Sequence, residues 1–153
     1  GELQFAGTNA SVTGQAWLDR EWSTSALDAN QVGWDWFALQ LDDGRDLMVY
    51  RLRRQNGGTD PNSAGILVSR AGAGQPLVAD DFRLTVERWW DSPRTDSRYP
   101  VAWRLELPAE GIDLRVEARV DDQAMPTTVR YWEGAVAVDG TATGVGYLEM
   151  TGY

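Results

Sequence analysis

Three acidic residues stand next to tryptophans in the sequence of the N-terminal third. Strand alternation would put Asp19 and Glu21 on one face with Trp17, and it would put Asp35 alone in an apolar row on the face opposite Trp36. Asp19 and Glu21 lie in the run 16–22, and Asp35 lies in the run 31–41. A carboxylate in apolar surroundings is costly unless it is paired, and otherwise its pKa rises until it holds a proton. A protonated acid can donate a proton while an ionised neighbour accepts one or activates water. We therefore predict Asp19, Glu21 and Asp35 as catalytic acid–base residues.

A second interpretation of these acids is purely structural. Arg20, Arg51 and Arg53 could neutralise them in buried ion pairs, and such networks perturb pKa values without any chemistry. The sequence leaves both interpretations open for each single carboxylate.

The absence of several residue types excludes most other kinds of catalysis. The 153 residues include no histidine and no cysteine, and all fourteen basic residues are arginines. Schiff-base catalysis, thiol nucleophiles, imidazole acid–base chemistry, Ser-His-Asp triads and thiolate or imidazole zinc sites each need one of the absent types. We therefore expect carboxylates to transfer the protons, with no cofactor and no metal.

Eight tryptophans are a large number for this length, and flat indoles that line a pocket suit apolar or aromatic ligands. Indole faces can also stabilise a developing carbocation, while a tyrosine orients water and an arginine holds a carboxylate ionised. Trp103 is instead predicted to be core, because it belongs to a regular apolar row. The predicted substrate-binding residues are Trp17, Trp34, Trp36, Tyr50, Arg51, Tyr131, Trp132 and Glu133.

The net charge of −9 and the absence of long apolar runs limit the possible partners. An acidic protein repels phosphate backbones, so nucleic acid is not expected as a partner. No run of about 18 apolar residues is present, so no membrane span is expected. The first residues also lack the basic and apolar regions of a signal peptide.

The elements that must position these residues are short antiparallel strands. Apolar residues recur with period two, most clearly in the runs 99–107 and 114–120, which we predict to form a hairpin around the turn 108–111. The spacing of turns predicts about nine or ten strands in a single domain over residues 1–153, with at most a short helical turn within 23–31. A barrel or a two-sheet sandwich closes such strands in one domain.

Five stretches carry a resemblance to a known family: 16–23, 31–44, 47–53, 131–134 and 146–153. They resemble the C-terminal half of the carotenoid 1,2-hydratase (hydroxyneurosporene synthase) and attachment-protein-H-like family. The resemblance implies an all-β fold with a single antiparallel lipocalin-like (calycin) barrel, and it implies a secreted or periplasmic location. Gln40 stands where the resemblance leads us to expect histidine in some members. Relatives carry two barrels in one chain, so a homodimer of this chain would restore that arrangement.

The family includes enzymes that add water across a terminal C=C bond and pericyclases that fold polyenes. The resemblance and the residues together predict an acid–base enzyme of the hydratase, hydrolase or cyclase type. Its expected substrate is an apolar small molecule, isoprenoid or polyene-like, bound in a tryptophan-lined barrel pocket. A non-catalytic lipocalin-like domain that binds an apolar ligand is the main alternative. A carbohydrate-active or carbohydrate-binding domain, with indoles as stacking platforms and a carboxylate pair, is a third interpretation.

Overall fold

The computed structural model describes residues 1–19, 27–125 and 127–153, and nearly all of its regular structure is β-strand. No helix among the described residues is long and apolar enough to cross a membrane. Two single turns of 3-10 helix occur, at Ala79–Asp81 and Pro108–Glu110. The strands are β1 (Glu2–Phe5), β2 (Thr8–Ser11), β3 (Gln31–Leu41), β4 (Asp46–Arg54), β5 (Ala64–Val68), β6 (Gly74–Val78), β7 (Arg83–Asp91), β8 (Arg98–Leu107), β9 (Ile112–Ala118), β10 (Ala124–Met125), β11 (Tyr131–Gly140) and β12 (Gly144–Thr151).

One large antiparallel sheet dominates the fold. Its strands run in the order β6-β5-β4-β3-β12-β11-β9-β8-β7, with β10 paired to β11, while β1 and β2 form a separate hairpin. The sheet curls into a half-barrel, which confirms the predicted all-β, lipocalin-like architecture. Because β3 pairs with β12, the first and the last strands of this sheet in chain order are neighbours at its centre.

The inner face of the curled sheet is filled by apolar side chains. Phe37 and Trp103 are fully buried, and their rings meet edge to face at 5.5 Å between centroids. Trp103 therefore lies in the core, as its place in a regular apolar row predicted. The interior is packed in this region, so the clefts of the molecule lie elsewhere: on the outer face and where the edges of the sheet approach each other.

Three local predictions can be compared with the described residues. The predicted hairpin is β8 and β9, joined through the 3-10 turn Pro108–Glu110 and Gly111, whose φ of 64° suits glycine. The segment 16–22 was expected to alternate as a strand, but residues 16–19 form no strand. Of the predicted helical turn, residues 27–30 form a bend and a turn, and residues 23–26 lie outside the described residues.

The loop between β4 and β5 is closed by the buried Asp60. Its side chain accepts hydrogen bonds from the backbone N–H of Asn62 and from Nε of Arg54, both at 2.9 Å. These two interactions, the backbone N–H first, lower the pKa of Asp60 to about 2. Ser63 donates to the carbonyl of Asp60 at 2.6 Å and accepts from the backbone of β4, so the loop is tied to the strand.

The lowered pKa of Asp60 predicts acid-sensitive stability. The charged form is favoured in the folded state, so its contribution is present above pH 3.8 and is lost as the pH falls towards about 2. We expect Asp60→Asn to be less stable than wild type at neutral pH, and the difference to shrink below about pH 4. Urea unfolding of wild type and of Asp60→Asn, from neutral pH to below about pH 4, measures this difference in the free energy of unfolding. A stability difference independent of pH would contradict the prediction.

Candidate functional site

A cleft of ≈ 660 Å³ lies on the outer face of β3, β12 and β11. The irregular segment 15–19 forms one wall of it. We call this cleft the outer groove. Its lining includes Trp17, Asp19, Trp36, Ala38, Gln40, Arg119, Glu133, Ala135, Val145, Tyr147 and Glu149.

The register of three neighbouring strands aligns the polar side chains of the outer groove. Glu149 on β12 lies directly opposite Trp36 on β3 and directly opposite Glu133 on β11. Side chains that face each other in this way have Cβ atoms about 4.5–5.5 Å apart. The next row holds Tyr147 between two alanines, so the groove has space beside the acids.

The acids of the outer groove have specific neighbours. Nε1 of Trp34 donates to Oε1 of Glu149 at 2.8 Å. Burial, and then the charges of Glu133 and Glu149, raise the pKa of Tyr147 above its ordinary value. The Tyr147 phenol therefore stays protonated at neutral pH and can donate a hydrogen bond next to two carboxylates.

Aromatic contacts hold the wall of the outer groove against its floor. The rings of Trp17 and Trp36 meet edge to face at 6.2 Å, and Trp17 is still 37% exposed. Trp34 and Tyr131 pack at 6.0 Å on the same face of the sheet. An apolar ligand in the groove would therefore contact indole surface beside carboxylates.

The structure brings together four of the residues predicted from the sequence. Trp17, Asp19, Trp36 and Glu133 line the outer groove. Trp34 borders it through its hydrogen bond to a lining glutamate, Tyr131 packs on that indole, and Tyr50 pairs across strands with Trp36. Glu21 lies outside the described residues.

Three predicted residues lie on the inner face instead. Trp132 is fully buried and donates from Nε1 to the carbonyl of Asp121 at 2.7 Å. Asp35 and Arg51 also point inward, because they alternate with Trp34, Trp36 and Tyr50. Asp35 and Asp19 thus lie on opposite faces of the sheet and do not share a cleft.

Asp35 is fully buried in a network of ion pairs and hydrogen bonds. Its Oδ2 accepts from Arg51 Nε at 2.9 Å, with Arg51 Nη2 at 2.7 Å and Arg53 Nε at 3.5 Å. Its Oδ1 accepts from the Tyr153 hydroxyl at 2.6 Å. Burial, and then the charge of Asp35, raise the pKa of Tyr153, so the phenol remains a donor. The structure therefore contains the buried ion pairs of Asp35 with Arg51 and Arg53 that the structural interpretation of these acids describes.

Three ionisable lining residues were not among the predicted site residues: Tyr147, Glu149 and Arg119. The alternation of β12 shows Tyr147 and Glu149 on one face, but it does not show which strands lie beside them. Among the described residues, no group of three or more acidic side chains is arranged to hold a metal ion. The outer groove offers carboxylates, a neutral phenol, a guanidinium and indoles, which is a set suited to proton transfer and water activation.

Comparisons with known proteins give a family and several relatives. A family model described as AttH-like matches residues 1–153. Dehydratase asqC of Emericella nidulans is 24% identical over 143 residues, covering 88% of this chain and 38% of that protein. Kievitone hydratase of Fusarium solani subsp. phaseoli is 24% identical over 129 residues, covering 82% of this chain and 35% of that protein.

Two solved structures share the fold. The crystal structure of an AttH protein from Nitrosomonas europaea has a TM-score of 0.77 at 34% identity, and that of kievitone hydratase from Nectria haematococca has a TM-score of 0.67 at 16% identity. Each match covers 86% of this chain and 42% of the other chain. The chain therefore spans less than half the length of these relatives.

The buried network predicts that Asp35 is essential to stability. Asp35→Asn leaves two mostly buried guanidinium groups without their counter-charge, which typically costs about 3–5 kcal/mol. Asp91→Asn is the matched control, because Asp91 pairs with Arg98 at an exposed position and such pairs contribute about 0–1 kcal/mol. Urea unfolding measures both free energies. Equal losses in the two variants would contradict this role for Asp35.

Proposed function

This chain belongs to the AttH-like family, and from that premise we propose that it adds water to, or removes water from, an apolar small molecule bound in the outer groove. The observation that carries the proposal is the convergence of Asp19, Glu133 and Glu149 on one cleft, beside the neutral phenol of Tyr147. Reversible hydration requires an acid, a base and a hydrogen-bond donor that holds water at one apolar site, and these groups can supply all three.

The proposed hydration proceeds in two proton transfers. A protonated carboxyl of the groove gives its proton to one carbon of a C=C bond, and the neighbouring carbon becomes electron-deficient. Water bonds to that carbon, and a carboxylate of the groove accepts the proton that the water loses. Dehydration is the same sequence in reverse, so one set of residues serves both directions.

The remaining groups of the outer groove fit the charges that develop in this reaction. The indole faces of Trp17 and Trp36 can stabilise a cationic carbon that lies over them. The Tyr147 hydroxyl can hold the attacking water or the departing hydroxyl group, because its raised pKa keeps the proton on it. Ala38 and Ala135 leave space for the apolar body of the substrate.

The relatives support water chemistry over the other reactions considered. Two of them are named as a dehydratase and a hydratase, although each is only 24% identical and more than twice as long as this chain. We propose isoprenoid or polyene substrates, because an apolar groove and a cationic intermediate would suit them. We place the acid and base among Asp19, Glu133 and Glu149, and we assign Asp35 to the scaffold.

Replacing Glu133 tests the proposal directly. Glu133→Gln keeps the size of the side chain but cannot exchange a proton, so turnover should fall by about a hundredfold or more. The assay incubates the protein with alkene-bearing isoprenoids such as geraniol in isotopically labelled water, and mass spectrometry detects one added water per product. Glu110→Gln, at an exposed glutamate outside the groove, is the control.

Turnover that is equal in the Glu133 and Glu110 variants would remove Glu133 from the mechanism. Saturable binding of these compounds without product would favour the non-catalytic binding domain instead. Ala135→Trp fills the outer groove and should abolish both binding and turnover, whereas Ala73→Trp, in an exposed turn, should change neither.

The environment of Tyr147 makes a prediction that needs no substrate. Because burial and two glutamates raise its pKa above the ordinary 10.0, the midpoint of its tyrosinate absorbance should lie above pH 10. The difference between the alkaline titrations of wild type and Tyr147→Phe isolates this residue. A difference titration with its midpoint below pH 10 would show that the phenol does not sit among these groups.

A further inference from the structure

A second cleft lies at the seam of the half-barrel, on the other side of the sheet from the outer groove. The pairing of β4 with β5 ends at Tyr50 and Ala64, and beyond it the loop 58–63 follows the edge of β4, with a bridge between Arg53 and Thr59. β7 begins close to this part of β4, and Arg51 Nη1 lies 3.4 Å from the carbonyl of Leu84. The space between the two strands, which we call the seam cleft, measures ≈ 490 Å³.

The wall of the seam cleft combines apolar and polar surface in similar amounts. Val78, Phe82 and Leu84 supply apolar surface, and Arg51 lines the cleft from its inner side. Arg83 and Asp80 also line it, and their opposite charges offset each other. The volume of the cleft lies within the range of sites for small organic molecules.

The groups behind the seam cleft carry one positive charge in excess. Arg51 and Arg53 face the single carboxylate of Asp35, and their side chains are only 19% and 16% exposed. The Tyr153 phenol, which completes the cluster, is neutral. Nε of Arg53 has no hydrogen-bond acceptor in the described part of the chain, although it lies 3.5 Å from Asp35. Partly buried charges without full compensation favour a counter-ion.

Arg51 is held in a fixed position by its other contacts. Two of its nitrogens bind Asp35, and its guanidinium lies 5.0 Å from the ring centroid of Trp103. Nη1 carries two N–H groups and its contact with Leu84 is long, so this nitrogen has hydrogen-bonding capacity left. A guanidinium that is fixed before binding loses little entropy when it pairs with an anion.

We propose that the seam cleft binds a small apolar monocarboxylate, whose carboxylate pairs with Arg51 and whose apolar body packs on Val78, Phe82 and Leu84. The ligand supplies the negative charge that the cluster of Asp35, Arg51 and Arg53 lacks. The site is separate from the outer groove, because Arg51 and Trp36 point to opposite faces of the sheet.

Calorimetry with a matched pair of probes tests the charge requirement. 4-Phenylbutyrate and 4-phenylbutan-1-ol have the same apolar body, and only the first carries a carboxylate. We expect the acid to bind at least about tenfold more tightly than the alcohol, since charge-assisted hydrogen bonds are stronger than neutral ones. In NMR spectra, the indole N–H of Trp103, beneath Arg51, should shift as the acid is added.

Substitutions that leave the ion-pair cluster intact locate the site. Ala79→Trp places an indole in the seam cleft and should weaken binding of the acid at least about tenfold. Ala73→Trp, in an exposed turn outside the cleft, should leave it unchanged. Equal affinity for acid and alcohol, no binding of the acid, or unchanged binding in Ala79→Trp would each overturn the proposal. Loss of binding in Ala135→Trp would instead place the probe in the outer groove and overturn it as well.

Discussion

The burial of one carboxylate determines much of the arrangement of this domain. Asp35 lies in the middle of an otherwise apolar row on β3, and a bare carboxylate there would be far too costly. The chain meets the cost by bringing Arg51 and Arg53 from β4 and Tyr153 from the end of the described chain to the same point. These contacts join the two halves of the sequence beside the pairing of β3 with β12.

Space for this cluster depends on the backbone around it. The register of β3 and β4 shifts at Gly33, and a Cβ there would collide with the guanidinium of Arg53 and the carbonyl of Thr151. Arg53 donates to that same carbonyl and stacks over the ring of Tyr153 at 3.8 Å. A glycine, a bulge and an aromatic ring therefore act together to hold two arginines near one acid.

The resemblance predicted the lipocalin-like architecture, and the alternation of apolar residues predicted the features that depend on local periodicity. It identified Trp103 as core, the hairpin of β8 and β9, and the two faces of β3, because each depends on local periodicity. It did not show that Glu149 lies between Trp36 and Glu133, since the pairing of β12 with β3 joins residues more than a hundred positions apart. Alternation also separated Asp35 from Trp36 without showing which face would carry a cleft. The alternation within one strand contains no information about its register with a strand that is distant in the sequence.

The two clefts differ in charge, and the alternation of β3 and β4 explains why. Outward positions carry Trp36 beside glutamates, so the outer groove suits neutral or cationic molecules and disfavours anions. Inward positions carry Arg51 and Arg53, whose excess positive charge suits an anion despite the net charge of −9. The two faces of the same sheet therefore present chemically different environments. A carboxylate-bearing molecule and an uncharged alkene would accordingly bind on opposite sides of β3 and would not compete.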